Sequence, residues 1–204
     1  MDTELEKTLK ECPALWRGRG IPPSERKGMP TGFSALDATL PGGGWPAGAM
    51  VDIVTAHRGI GELSILLPAM ARLCDRGLKA VWIDPPFVPY APTLRQAGVR
   101  THHVLIVGPC RSDSDTPWCM EKILRSASCG MALAWPRQLD FRATRRLQLA
   151  AEAGDSLGIL FHTTDPGNSP AALRIYLTPG ANALEVRITK ARGTLRRTVV
   201  KLPF

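Results

Sequence analysis

The sequence predicts an α/β fold: a mostly parallel sheet flanked by helices, with a small antiparallel β extension at the C-terminal end. Three observations predict it. Between residues 31 and 66 a turn leads to a short apolar strand (Met50-Val51-Asp52-Ile53-Val54), a loop with Gly59 and Gly61, and an apolar helix from about Glu62. Beyond it, short apolar runs alternate with helical patterns of about 10–15 residues, as in a parallel sheet covered on both faces. From Leu173 onward the pattern changes to short alternating runs separated by Pro179-Gly180 and Arg192-Gly193, which are turn signals.

In order, residues 1–11 suit a short helix with Leu5 and Leu9 on one side, and residues 16–30 mix Gly, Pro and charge as an arm or linker. Glu62 to Arg76 places Leu63, Leu66, Leu67, Met70, Ala71 and Cys74 at helical spacing, with Pro68 in its early turns and Gly77 as the stop. Leu78 to Ile83 reads as a strand ending at Asp84-Pro85-Pro86. A short helix around Pro92–Ala97 and a buried strand at Val104–Val107 follow. Thr116 and Pro117 open a helix expected to reach Ser128. Met131–Trp135 reads as a strand, Asp140 caps a helix over Phe141–Ala153, Gly154 ends it, and Leu157–His162 is another strand. The three terminal runs are Leu173–Leu177, Leu184–Thr189 and Thr198–Leu202.

Length and composition limit the function classes. A chain of 204 residues with 44% hydrophobic residues can bury a full core, so one domain with a short appendage is expected. No apolar run reaches the roughly 18 residues of a membrane span, and the first residues lack a signal-peptide pattern, so a cytoplasmic protein is expected. The five cysteines are odd in number and form no CxxC, which reads as reduced thiols. The four histidines show neither HxH nor HxxxH spacing, and no metal site or cofactor is expected. A net charge of +8 points to an anionic partner, nucleic acid before membrane, although scattered surface arginines give the same figure.

Three groups of residues carry a resemblance. The first is Thr31-Gly32-Phe33-Ser34-Ala35-Leu36-Asp37 with Gly43-Gly44-Trp45-Pro46-Ala47-Gly48 and Val51-Asp52-Ile53, which resembles the opening of the RecA recombinase ATPase core. The second is Gly59-Ile60-Gly61-Glu62-Leu63, Trp82-Ile83-Asp84-Pro85-Pro86 and Arg145-Arg146-Leu147-Gln148-Leu149-Ala150-Ala151-Glu152. The third is Ser169-Pro170-Ala171-Ala172-Leu173-Arg174 and Lys190-Ala191-Arg192-Gly193. From about Trp16 to the C-terminus the chain resembles the ImuA family, RecA-like accessory proteins of bacterial inducible mutagenesis grouped with SulA-type proteins. The resemblance divides the chain into an N-terminal helix and arm (1–28), a RecA-like core with a degenerate P-loop (29–172) and a basic antiparallel extension of the same domain (173–204).

The resemblance implies a role in SOS-induced translesion DNA synthesis. The implied partners are ImuB, an inactive Y-family polymerase homologue, an error-prone C-family polymerase, and RecA. Self-association would use a RecA-type polymer interface. The SulA side of the group implies instead an inhibitor of the division GTPase FtsZ.

Against the RecA pattern the expected site is degenerate at Arg58, Gly59, Gly61, Glu62, Asp84, Pro86 and Trp135. A P-loop needs a lysine on the phosphates, and here Gly61 is followed by Glu62, a carboxylate that favours a helix N-terminus as a phosphate would. The general-base position carries Pro86 after Asp84, and the strand that should end in the magnesium aspartate ends in Trp135. Phosphoryl transfer depends on placed cations and a base, so no ATPase is expected. The loop amides leave weak anion binding open, with Glu62, Arg58 and His57 crowding the place.

Basic residues are the remaining candidates for DNA or partner contact: Arg145 and Arg146 on one helix, and Lys190, Arg192, Arg196, Arg197 and Lys201 near the end. Between Arg174 and Lys201 seven basic residues face one acid, Glu185, and alternation over Leu195–Leu202 suggests several of them on one exposed surface. DNA contact, partner docking and plain solubility all stand as readings. Trp45 and Trp118 read as core or interface residues rather than base-stacking platforms.

Overall fold

The computed structural model describes residues 28–192 and 198–203. The expected N-terminal helix, most of the arm, and Arg196 and Arg197 lie outside the described residues. The strands are β1 (Ala49–Val54), β2 (Lys79–Ile83), β3 (Val104–Val107), β4 (Cys129–Ala134), β5 (Leu157–His162), β6 (Leu173–Pro179), β7 (Ala183–Ala191) and β8 (Thr198–Pro203). They form one eight-stranded sheet in the order β3-β2-β4-β5-β1-β6-β7-β8. The pairings from β3 across to β6 are parallel, and β7 and β8 are added antiparallel. The terminal strands therefore extend the main sheet, because β6 runs parallel to β1 (Val51 opposite Leu173) before β7 turns back on it.

The helices are α1 (Ser34–Asp37), α2 (Leu67–Asp75), α3 (Ala91–Gln96), α4 (Asp115–Leu124) and α5 (Phe141–Gly154). One face of the sheet packs under α1, α2 and α3 through Leu36, Met70, Leu73 and Leu94, against Val51, Trp82, Leu133 and Ile159. The other packs under α4 and α5 through Met120, Leu124, Leu147 and Ala151, against Met50, Ile83, Ala132 and Leu160. Central strands β1 and β4 are buried at every residue, as expected where helices cover both sides. The inward residues of β6, β7 and β8 join only the first of these cores, and their other side carries Tyr176, Arg187 and Lys201.

Several boundaries differ from expectation, each for a local reason. Helix α2 begins at Leu67, not Glu62, because residues 61–66 are turns and Pro68, with no amide to donate, suits the first helical turn. Helix α4 starts at Asp115 and stops at Leu124. Its start is organised by the Asp115 carboxylate, which accepts from Arg111 N–H (2.8 Å) and Ser112 N–H (3.0 Å), rather than by Thr116. Asp140 does cap α5, accepting from Ala143 N–H at 2.6 Å, and Asp155 ends that helix in the left-handed conformation. Strand β3, expected to be buried, is the sheet edge, with Leu105 48% and Ile106 55% exposed on opposite faces.

The residues before β1 are tied down by backbone pairing. Met29 N–H donates to Trp45 O (2.8 Å) and Trp45 N–H to Met29 O (2.7 Å). Gly44 permits this, since a Cβ there would stand 2.1 Å from the Met29 carbonyl oxygen. No helix among the described residues is long and apolar enough to cross a membrane.

Gln148, fully buried on α5, connects helix to sheet: its Oε1 accepts from Met50 N–H (3.0 Å) and its Nε2 donates to Glu152 (2.9 Å). Gln148→Leu keeps the volume but orphans the Met50 amide. It should lower stability by about 1–3 kcal/mol, read as a shifted urea midpoint with unchanged slope; an unshifted midpoint would remove this bond from the account of the fold.

Candidate functional site

The loop after β1 is built around its own acid. Thr55 N–H continues the β1–β5 ladder onto His162 O (2.9 Å), and Thr55 Oγ1 donates to His57 O (2.7 Å), which turns the chain out of the sheet. Gly59 and Gly61 then take φ of 80° and 91°, conformations that side chains rarely adopt. This turns the Gly59 and Ile60 amides inward. Gly59 N–H lies 3.0 Å from both Glu62 carboxylate oxygens, and Ile60 N–H lies 3.0 Å from Oε2. Glu62 is buried, so the amides of an anion-binding loop hold a carboxylate of the same chain.

The space beside it is filled. Trp135, at the end of β4, stacks on Phe161 of β5 with ring centroids 4.8 Å apart and planes 6° from parallel, and it touches Trp82 at 5.9 Å. With Thr55, Arg58, Glu62 and His162, Trp135 and Phe161 line a cavity of ≈ 10 Å³, room for about one water. Arg58, Glu62 and Trp135 are thus brought together. Asp84 lines a neighbouring crevice of ≈ 80 Å³ with Trp135, Cys110, Thr116 and Arg137. There Asp84 has a left-handed backbone (φ 50°) and its Oδ1 accepts from Cys110 N–H at 3.4 Å. Pro86 lies in the connection after β2 and lines neither space.

A second group escaped the sequence reading. Asp52, in the middle of β1, has 0% exposure. One of its oxygens lies 3.2 Å from His162 Nε2 and the other accepts from Arg174 Nε at 3.4 Å. Arg174 also donates to Asp165 (3.1 Å) and to Gly167 O (2.7 Å), and Tyr176 donates to Asp165. The signal was present: a carboxylate inside an otherwise apolar strand needs buried partners, and a basic residue on an adjacent strand is the simplest source.

Among the described residues Arg174, Arg187, Lys190 and Lys201 share the outer face of β6–β8, but most of the basic residues are engaged by neighbours. Arg174 is spent on Asp52 and Asp165. Lys190 donates to Ser169 O at 2.6 Å, with burial lowering its pKa. Arg192 lies 3.7 Å from Glu152 and Lys201 lies 3.3 Å from Glu185. Arg146 is bonded to Glu121, whose carboxyl it holds below the usual range, whereas Arg145 is exposed on α5 and has no ion pair among the described residues. Trp45 is fully buried, but Trp118 is 59% exposed and so is no core residue. Cys74, Cys110, Cys119 and Cys129 are unpaired thiols, and among the described residues no group of three or more His, Cys, Asp or Glu is placed to hold a metal.

Two outcomes test these contacts. Glu62→Ala should cost about 1.5–3 kcal/mol, as for lost bonds to a charged group, and Glu62→Lys should cost more by setting a cation against the amides; wild-type stability in both would show that the carboxylate does not organise the loop. The Tyr176 hydroxyl holds the Asp165 carboxyl low, so its contribution is full above the unfolded carboxylate pKa of about 3.9 and is lost as pH falls through the lower folded value. Asp165→Asn should flatten that acid limb in denaturation measured across pH; an unchanged limb would remove this pair from the acid response.

No protein-family model matches the chain. Over 165 residues it is 28% identical to protein ImuA of Caulobacter vibrioides, a match covering 78% of this chain and 67% of that protein. Over 111 residues it is 31% identical to the cell division inhibitor SulA of Edwardsiella piscicida, covering 54% of this chain and 66% of that one. The crystal structure of SulA from Pseudomonas aeruginosa aligns with 57% of this chain and 98% of its own, at 20% identity and a TM-score of 0.45. By sequence, the chain is similar to proteins named ImuA and SulA.

Proposed function

We propose that the chain is a catalytically silent, RecA-like accessory protein of the cytoplasmic SOS response to DNA damage. In this reading it is an adaptor that brings ImuB and an error-prone C-family polymerase together during translesion synthesis, with RecA as a further partner. The observation that carries the reading is Glu62 seated on the Gly59 and Ile60 amides. A triphosphate would have to displace a buried carboxylate and enter a space that Trp135 and Phe161 leave at ≈ 10 Å³. With Pro86 and Trp135 at the other two positions, no side chain there supplies the base or the magnesium ligand that phosphoryl transfer needs. The relatives named ImuA supply the biological setting.

The 31% identity to a SulA protein favours one second reading, a division inhibitor acting on FtsZ. Its strand-and-helix scaffold would be the same, and only the partner differs.

Capture of ImuB, RecA and FtsZ by the purified chain, with and without ATP and single-stranded DNA, separates the readings. ImuB should be retained to the same extent with and without ATP, and the chain alone should release no phosphate. Retention of FtsZ alone would move the protein to division control; ATP-dependent retention or turnover would end the silent-scaffold reading.

A further inference from the structure

The N-terminal ends of α4 and α5 leave between them a groove of ≈ 520 Å³ that the degenerate loop does not use. Its position follows from the helix period. Thr116 and Met120 face the core on α4, as Thr144 and Leu147 do on α5, so Trp118 and Arg142, each two residues from a buried threonine, project outward. Pro117, Trp118, Leu139 and Ala143 give the groove apolar walls, and Arg142 and Asp113 stand on its rim.

The free charge at this rim is mainly positive. Asp140 is occupied with the Ala143 amide and Arg146 with Glu121. Arg142, the adjacent Arg145 and the nearby Arg137 are exposed and make no ion pair among the described residues, with Asp113 the only opposing acid at the groove left uncommitted there. An exposed tryptophan beside arginines with no ion pair among the described residues, over an apolar floor, has the make-up of a protein-interface hot spot with a polar rim.

We infer that the α4–α5 groove is a docking site for an acidic peptide segment of a protein partner, carrying one bulky apolar anchor. The anchor packs against Trp118 and Leu139 while flanking Asp or Glu side chains pair with Arg142 and Arg145. The apolar walls favour a peptide, which can bring an apolar anchor, over a nucleic acid backbone. This deepens the adaptor reading and rests on it, yet the two fail separately: capture of ImuB with no peptide selected at the groove removes the groove alone.

The test is selection of a phage-displayed random peptide library on the full chain, followed by fluorescence polarisation with the labelled consensus peptide. Selected peptides should share a Trp, Phe or Leu flanked by acids. Trp118→Ala and Arg142→Glu, both surface changes, should each weaken binding at least about tenfold. Selection repeated on the Arg142→Glu chain should turn toward basic flanks, a reversal that a merely structural arginine would not produce. Peptides without acidic bias, binding kept in both variants, or no enrichment at all would overturn the assignment. So would an oligo-dT strand bound in a Trp118-dependent way with no peptide selected, which would reassign the groove to nucleic acid.

Discussion

A charged oxygen pair with no access to water has to be matched inside the protein, and Asp52 sets that requirement at the centre of this sheet. Burying a carboxylate alone is prohibitive, and removing one partner of a buried pair costs more than the pair itself contributes. Asp52 takes one partner from β5 (His162) and one from β6 (Arg174), so it joins the two strands on either side of β1. Arg174 carries the tie onward to Asp165 and Gly167, in the connection that leads from β5 to β6. That connection contains no helix, and these bonds supply order that helical packing supplies elsewhere.

The degenerate loop uses the same chemistry. In both places a carboxylate sits against polar partners, buried Asp52 against the Arg174 guanidinium and the His162 ring, and Glu62 against turned backbone amides. Little space is left beside Glu62. The stacked pair of Trp135 and Phe161 occupies the ground next to it, and Pro86 lines neither cavity.

Much of the fold was legible because strand and helix periods differ. The apolar runs of β1, β2, β4 and β5 and the capped helix α5 stood out, and so did the turn dipeptides of the terminal strands. The degenerate loop was legible from Glu62 alone. What escaped depends on partners distant in sequence. The edge position of β3 is a property of strand order, and Val104–Val107 reads the same at an edge as in the middle. The late start of α2 is a local exception, set by the turns before Leu67 and by Pro68. Alternation gives the shared side of Arg174, Arg187, Lys190 and Lys201, but not their partners. Arg174 and Lys190 are drawn in by Asp52 and by the Ser169 carbonyl. For Trp118, read as core or interface, the helix phase set by Thr116 and Met120 excludes the core and turns the ring outward.

The open edge at β3 has a consequence for how this protein stays in solution. Uncharged Val-Leu-Ile-Val with no strand beyond it among the described residues is a template for sheet growth, and natural edges are usually blunted by lysine, proline or a bulge. None lies within this strand, which is blunted by brevity: it lasts four residues before Gly108 and Pro109 end it. The proline lacks an amide to offer an incoming strand. Colloidal behaviour at high concentration thus depends on a stop signal just past the strand, where Gly108 packs against Asp84.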